Sequence, residues 1–109
     1  MTGDSFTGNS AADGGAVLND WRLTATGTAF RNNKAKTDGG AIYKYDVFGS
    51  GTLSITGGRI TGNTAGGDGG GIYNSGPHPG GADVSPSTAV RNNQPDNCAP
   101  LGSVANCTG

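Results

Sequence analysis

Three aspartates stand in the same local phrase, and their side chains are of a type that binds cations. Asp13, Asp38 and Asp68 each open an Asp-Gly-Gly triplet, at intervals of 25 and 30 residues. If a repeating backbone stacks them at the strand spacing, their carboxylates lie about 5 Å apart and either repel one another or recruit a cation. Carboxylate oxygens are ligands that Ca²⁺ prefers. The three aspartates are therefore candidate ligands for a calcium ion. The interpretation that we favour is that each carboxylate hydrogen-bonds to the backbone at its turn. No other cofactor is expected.

Aromatic side chains concentrate in three segments that each follow an Asp-Gly-Gly phrase. Five of the seven Phe, Tyr and Trp residues lie in these segments, and the exceptions are Phe6 and Phe30. The candidate ligand-binding residues are Trp21, Tyr43, Tyr45, Phe48, Tyr73 and His78. An aromatic strip with polar groups between the rings stacks on sugars or docks a surface protein. The alternative is that the rings only cover the backbone of their own loops.

Acid–base catalysis has little material in this sequence. The titratable residues near the aromatic segments are Asp20, Arg22, Lys44, Asp46, Asp83 and His78. His78 lies in the stretch SGPHPGG, where no neighbour orients it for proton transfer. We assign no catalytic residue, and an enzyme is the less favoured interpretation.

Charge and hydropathy exclude several classes of partner. The seven Lys and Arg residues form no polybasic run or stripe along the sequence, and the net charge is −1, so we expect no nucleic acid and no anionic membrane as partner. No apolar run approaches the roughly 18 residues that a membrane span needs. The opening MTGDSFTGNS lacks the features of a signal peptide, so we expect a mature or truncated form of an exported protein.

The elements that must position these side chains are short repeated strands. Each Asp-Gly-Gly phrase follows an apolar-x-x-Asn element, as in FTGNSA, FRNNKA and ITGNTA, with a last, altered copy VRNNQP. The stretches LTATG and LSITG alternate apolar and polar residues as half-buried strands do, and no segment has helical periodicity. Three strands in a unit of 25 to 30 residues match one coil of a parallel β-helix. The prediction is an all-β solenoid of about 3.5 coils.

The predicted stacking assigns the interior and two polar rows. Three inward columns are expected: Phe6, Phe30, Ile60 and Val90; Val17, Ile42 and Ile72; and Leu23, Leu53 and Val84. Asparagines at one further position, Asn9, Asn33, Asn63 and Asn93, are expected to form a structural ladder of side-chain amides. Hydroxyl side chains are expected to form a short array on an outward face, like the arrays of ice-binding proteins. The array consists of Thr24 and Thr26, Ser54 and Thr56, and Ser85 and Ser87. We disfavour ice binding as a function of this face.

The two ends of the solenoid are expected to differ. Cys98 and Cys107 are the only cysteines, and their spacing in a Pro- and Gly-rich tail suits a disulfide that closes a cap over the last coil, with Leu101 and Val104 on the core. We assign residues 1–95 to the coils and 96–109 to the cap. No covering segment is visible at the N-terminal end, so we expect a fragment or a homo-oligomer joined through that end.

The repeats resemble known families. FTGNSAADGGAV, FRNNKAKTDGGAIY and ITGNTAGGDGGGIY are similar to the repeats of chlamydial polymorphic outer membrane proteins and related autotransporter passengers. They resemble equally the secreted actinobacterial β-helix proteins of the pectate-lyase-like superfamily, as does the ending NQPDNCAPLGSVANCTG. The resemblance implies a right-handed, single-stranded parallel β-helix, and leaves function open because the superfamily includes adhesins, lyases, hydrolases and fibres.

These observations favour a non-catalytic scaffold that is secreted or exposed on a cell surface. Its expected use is adhesion or glycan binding through loops on one side, with a glycan or a surface protein as the partner. The first alternative is a fragment of a carbohydrate-active enzyme, a polysaccharide lyase or hydrolase. The second is a structural spacer or cap.

Overall fold

A computed structural model describes residues 1–19, 22–45, 51–75, 81–100 and 103–109. Across these ranges the regular structure is entirely β-strand. In chain order the strands are β1 (Ser5–Thr7), β2 (Ser10–Ala11), β3 (Val17–Asn19), β4 (Arg22–Thr26), β5 (Ala29–Arg31), β6 (Lys34–Ala35), β7 (Ile42–Tyr45), β8 (Thr52–Thr56), β9 (Arg59–Thr61), β10 (Thr64–Ala65), β11 (Ile72–Ser75), β12 (Ala82–Val84), β13 (Ala89–Arg91) and β14 (Cys98–Ala99). No helix in the described part of the chain is long and apolar enough to cross a membrane.

The strands form four parallel sheets, one along each side of a solenoid. The first sheet has the order β1-β5-β9-β13, the second β2-β6-β10, the third β3-β7-β11-β14 and the fourth β4-β8-β12. Every strand pair is parallel and joins equivalent positions of successive coils. The prediction of an all-β parallel solenoid is therefore confirmed.

One coil contains four strands instead of the three that we predicted. The additional strand is the two-residue segment after each ladder asparagine, such as β6. Two residues are too few to show the alternation that marks a strand in sequence, which explains why this element was not predicted.

The core is a column of stacked apolar side chains, which are fully buried in the second and third coils. Phe30 and Ile60 lie in register in the first sheet, and Ile42 and Ile72 do so in the third. Phe6 stacks on Phe30 with ring centroids 5.2 Å apart. Full burial of a side chain of this size contributes about 1.5–3 kcal/mol. Repetition of the coil thus provides a core in a chain that has few large apolar residues.

The predicted column of Leu23, Leu53 and Val84 is wrong in its last member. Ala82 pairs with Leu53, and Val84 pairs with Ile55. A shift of two residues along a strand keeps each side chain on the same face, so alternation alone does not distinguish the two registers.

The same shift changes the predicted hydroxyl array on the fourth sheet. Thr24 pairs with Ser54, and Ser54 pairs with Asp83 rather than with a serine. Ser85 instead lies beside the end of β8, where its hydroxyl accepts a hydrogen bond from the Gly57 amide at 3.1 Å. The outward row therefore contains a carboxylate.

The Asp-Gly-Gly phrase is repeated because each of its two glycines occupies a position where a side chain would be sterically unfavourable, for a different reason in each case. The first, represented by Gly39, has φ of +67°, a left-handed conformation that favours glycine. The second, Gly40, lies against the next coil, and a Cβ there would overlap the carbonyl oxygen of Gly70. Without the second glycine the coils cannot approach to hydrogen-bonding distance.

The C-terminal segment covers part of the last coil. A disulfide joins Cys98 and Cys107, as predicted. Cys98 pairs with Ile72 in the third sheet, and Val104 is buried against the core. Leu101, which we expected beside Val104, lies outside the described residues.

The N-terminal coil is the less buried end of the stack. Phe6, Val17 and Leu23 are only partly buried, whereas their equivalents in the next coil, Phe30, Ile42 and Leu53, are fully buried. A terminal coil is less buried because it packs against only one neighbouring coil. Association of two copies through this end stays a prediction.

Candidate functional site

The predicted aromatic strip lies partly on strands rather than on loops. Tyr43 and Tyr45 belong to β7, and Tyr73 belongs to β11. Both strands continue beyond the inward isoleucine, with side chains alternating between the interior and the outer surface. Trp21, Phe48 and His78 lie outside the described residues. The structure thus places three of the six candidate residues on the outer surface of the third sheet.

These tyrosines pack against one another. Tyr43 pairs in register with Tyr73, and their ring centroids are 5.4 Å apart at an interplanar angle of 20°. Tyr45 lies on the same side of β7, with its ring 6.3 Å from that of Tyr43. Leu18 precedes Tyr43 in the same row. We call the surface formed by Leu18, Tyr43, Tyr45 and Tyr73 the tyrosine face.

The tyrosine face exposes apolar surface to an unusual degree for this chain. Leu18 is 62% exposed and Tyr45 is 44% exposed. Among the described residues, the one other large hydrophobic side chain with comparable exposure is Met1. Tyrosine side chains have only two χ angles, so they lose little conformational entropy when a ligand binds.

Two carboxylates act electrostatically on the tyrosine face. Burial raises the pKa of the Tyr73 phenol above its ordinary value, and the nearby charges of Asp38 and Asp68, together with Tyr43, act in the same direction. Tyr73 therefore stays neutral at physiological pH and keeps its hydroxyl as a hydrogen-bond donor. The face thus combines aromatic rings and a phenolic donor within the electrostatic influence of two carboxylates.

Two of the three candidate calcium ligands, Asp13 and Asp38, accept hydrogen bonds from backbone amides of the next coil. The Asp13 carboxylate accepts a hydrogen bond from the Asp38 amide at 3.4 Å, and the Asp38 carboxylate accepts one from the Asp68 amide at 2.8 Å. Asp96 accepts from the Gly69 amide of the preceding coil at 2.6 Å, in the opposite direction along the stack. Within the described ranges no group of three or more His, Cys, Asp or Glu side chains is placed to hold a metal ion. Calcium binding by Asp13, Asp38 and Asp68 stays a prediction.

The asparagines form a continuous row of hydrogen bonds inside the solenoid. The backbone amide and the side-chain amide of Asn33 both donate to the side-chain oxygen of Asn63, at 2.9 and 3.0 Å. Asn63 binds the side-chain oxygen of Asn93 in the same way. Asn9 begins the row, and Asn97 extends it past Asn93. Asn63 and Asn93 also donate to the carbonyls of Phe30 and Ile60 in the preceding coil. The row links every coil to the next.

Lys44 lies inside the solenoid and not among the polar groups around the aromatic strip, where we had expected it. It is 1% exposed, and in register it stands between Asn19 and Asn74, both of which are buried. Asn19 donates to the Thr52 carbonyl at 3.1 Å, and Asn74 donates to the Ser103 carbonyl at 2.8 Å. Lys44 lies two residues after the inward Ile42, so the alternation of side chains along a strand indicates an inward position for it. Buried lysines are rare, which is why this position was not predicted.

Of the residues considered for acid–base chemistry, Asp20, Asp46 and His78 lie outside the described residues, and the three described ones do not converge on one point. Arg22 and Asp83 are exposed on the fourth sheet, whereas Lys44 is buried behind the third. The described part of the chain encloses no pocket. Any ligand that binds the described surface therefore meets an open face.

The repeat is similar to that of a known family. Residues 5–20, 27–44 and 58–75 match the family model of the Chlamydia polymorphic membrane protein (Chlamydia_PMP) repeat. Three stretches of this chain are therefore similar to that repeat. Together they make up just under half of the 109 residues. Neither the curated proteins nor the solved structures contain a match.

The polymorphic membrane protein repeat corresponds to defined parts of the coil. Each matched segment runs from a strand of the first sheet, through the ladder asparagine and the Asp-Gly-Gly turn, into a strand of the third sheet. Tyr43 and Tyr73 lie within matched segments, and the strands of the fourth sheet lie outside them. The similarity to the pectate-lyase-like superfamily that the sequence suggests stays a prediction.

Proposed function

We propose that this chain is a surface-exposed, non-catalytic β-solenoid that binds glycans through its tyrosine face in an adhesin-like role. The observation that carries this proposal is the concentration of exposed apolar surface on the tyrosine face, where stacked rings lie beside carboxylates. The similarity to the polymorphic membrane protein repeat supports a place at the outer surface of a cell.

Sugars fit the chemistry of this face. The apolar C–H surface of a pyranose ring packs on exposed aromatic rings such as that of Tyr45, and its hydroxyls bind phenol and carboxylate groups. Asp38 and Asp68 supply acceptors near Tyr73. Their negative charge favours neutral glycans over acidic ones. The open face suits one side of a polymer or a terminal sugar.

Binding to a panel of immobilised neutral and acidic glycans tests this proposal. We expect saturable binding to a neutral glycan, and we expect Tyr45→Ala and Tyr43→Ala each to weaken it by about tenfold, since a lost aromatic contact is worth about 0.5–1.5 kcal/mol beyond its buried area. Thr24→Ala, an exposed change on the fourth sheet, is the matched control and should leave the affinity unchanged.

Two results would reject glycan binding by this face. One is an absence of saturable binding across the panel, and the other is equal loss of affinity in the tyrosine variants and in Thr24→Ala. Because Tyr43 packs on two other rings, circular dichroism must first show that its variant keeps the β-sheet signal. Tyr45 is the more exposed of the pair, so its variant provides the cleaner comparison.

A further inference from the structure

The outer surface of the first sheet carries three arginines from three successive coils. Arg31 is in β5, Arg59 in β9 and Arg91 in β13, and all three are exposed. They are far apart in sequence and form no basic run, so the composition did not predict this surface. We call it the arginine face.

The strand register sets the spacing of these arginines. Arg31 and Arg91 both pair with Thr61, which places their Cα atoms two strand spacings, or about 10 Å, apart. Arg59 pairs with Ala29 and Ala89, two residues earlier along the strands, so its Cα lies roughly 8 Å from the Cα of each of the other two arginines. The Cα atoms of the three arginines thus form a compact triangle on one face of the sheet.

This triangle has no balancing charge on its own sheet. The other outward residues of the first sheet are small or hydroxylic, namely Ser5, Thr7, Ala29, Thr61 and Ala89. Across the described residues no carboxylate forms an ion pair with any of the three guanidinium groups. Asp4, at the corner before β1, is the acidic residue nearest along the first coil, and one of its oxygens accepts a hydrogen bond from the Thr2 amide. Lys34, exposed on β6 around the next corner, adds a further positive charge.

We propose that the arginine face binds a sulfated polysaccharide. Guanidinium groups form paired hydrogen bonds with sulfate and carboxylate oxygens, and a sheet face with three closely spaced arginines complements an extended polyanion. The face has no aromatic side chain on which nucleic-acid bases would stack and no large apolar group that would enter a membrane. The whole chain has a net charge of −1, so attraction of a polyanion depends on this local cluster and not on overall charge.

Binding of the full chain to a heparin oligosaccharide tests this inference, which does not depend on the tyrosine face. We expect binding that weakens as salt is raised, and a loss of about tenfold in Arg31→Gln/Arg91→Gln, because two paired anion contacts are removed. The matched control is Arg22→Gln/Lys36→Gln, which removes the same charge from exposed positions on other parts of the coil and should change the affinity less than about twofold. Neutral dextran should not bind to this face.

Three outcomes would overturn the inference. The first is an absence of heparin binding at low salt. The second is an equal loss of affinity in the two double variants, since that result would show a nonspecific charge effect. The third is tighter binding to duplex DNA or to phosphatidylserine vesicles than to heparin. Retention of neutral-glycan binding by Arg31→Gln/Arg91→Gln would show that the two faces act separately.

Discussion

Asn63→Ala lowers the free energy of unfolding by about 3–5 kcal/mol, because it interrupts the asparagine row at its centre. Asn63 is fully buried, accepts two hydrogen bonds from Asn33 and donates to the Phe30 carbonyl and to the Asn93 oxygen. Alanine supplies none of these groups, and each buried partner left without a hydrogen bond costs about 1–3 kcal/mol. Urea denaturation followed by circular dichroism measures the change.

Asn9→Ala is the matched control, since Asn9 has the same position in the first coil but is exposed to solvent. Its side chain donates one hydrogen bond, to the Asn33 oxygen at 3.0 Å, and the Asn9 backbone amide continues to bind the same oxygen. Water replaces the lost group, so the expected change is below about 1 kcal/mol. Equal effects of the two variants would contradict a structural role for the buried part of the row.

Gly40→Ala is expected to destabilise the chain by about 3 kcal/mol or more, because the added methyl forces two coils apart. The new Cβ would overlap the Gly70 carbonyl and would lie 2.6 Å from the Thr64 carbonyl oxygen, and both are backbone atoms that cannot rotate away. Any separation lengthens neighbouring ladder bonds, including Gly40 to Gly69 at 2.9 Å and Ile42 to Gly71 at 2.9 Å. Thermal unfolding and urea titration measure the loss.

Gly27→Ala separates this steric effect from backbone strain. Gly27 has φ of +61°, but no atom lies within 4 Å of the site that its Cβ would occupy. We therefore expect only the cost of a left-handed conformation, about 1 kcal/mol. A Gly40→Ala variant as stable as Gly27→Ala would mean that the coils are not packed as closely as the structure shows.

The repeat made the solenoid predictable, because a short phrase that recurs with inward apolar residues has few other ways to bury them. The register of the third coil was less accessible. Ala82 and Val84 differ by one two-residue step, and both satisfy the alternation, so the pattern permits either above Leu53. The spacing of apolar residues therefore does not decide between the two registers.

The candidate site was predictable in part for a related reason. Tyr43 and Tyr73 follow equivalent isoleucines, so their alignment on one face follows directly from the repeat. The arginine face arises from Arg31, Arg59 and Arg91, which occupy two different positions of the coil and become neighbours only through the register. Lys44 occupies an inward position that sequence reasoning reserves for apolar residues.

The direct test of the stacked register is a distance measurement by electron paramagnetic resonance between spin labels at Ser10→Cys and Gln94→Cys, with the native disulfide closed. These exposed positions occupy one row of the second sheet, in the sequence Ser10, Lys34, Thr64 and Gln94. Three strand spacings place the two Cα atoms about 14 Å apart, so we expect one narrow distribution below about 25 Å once the label arms are included. A broad distribution, or a mean beyond about 30 Å, would contradict the stacking of successive coils.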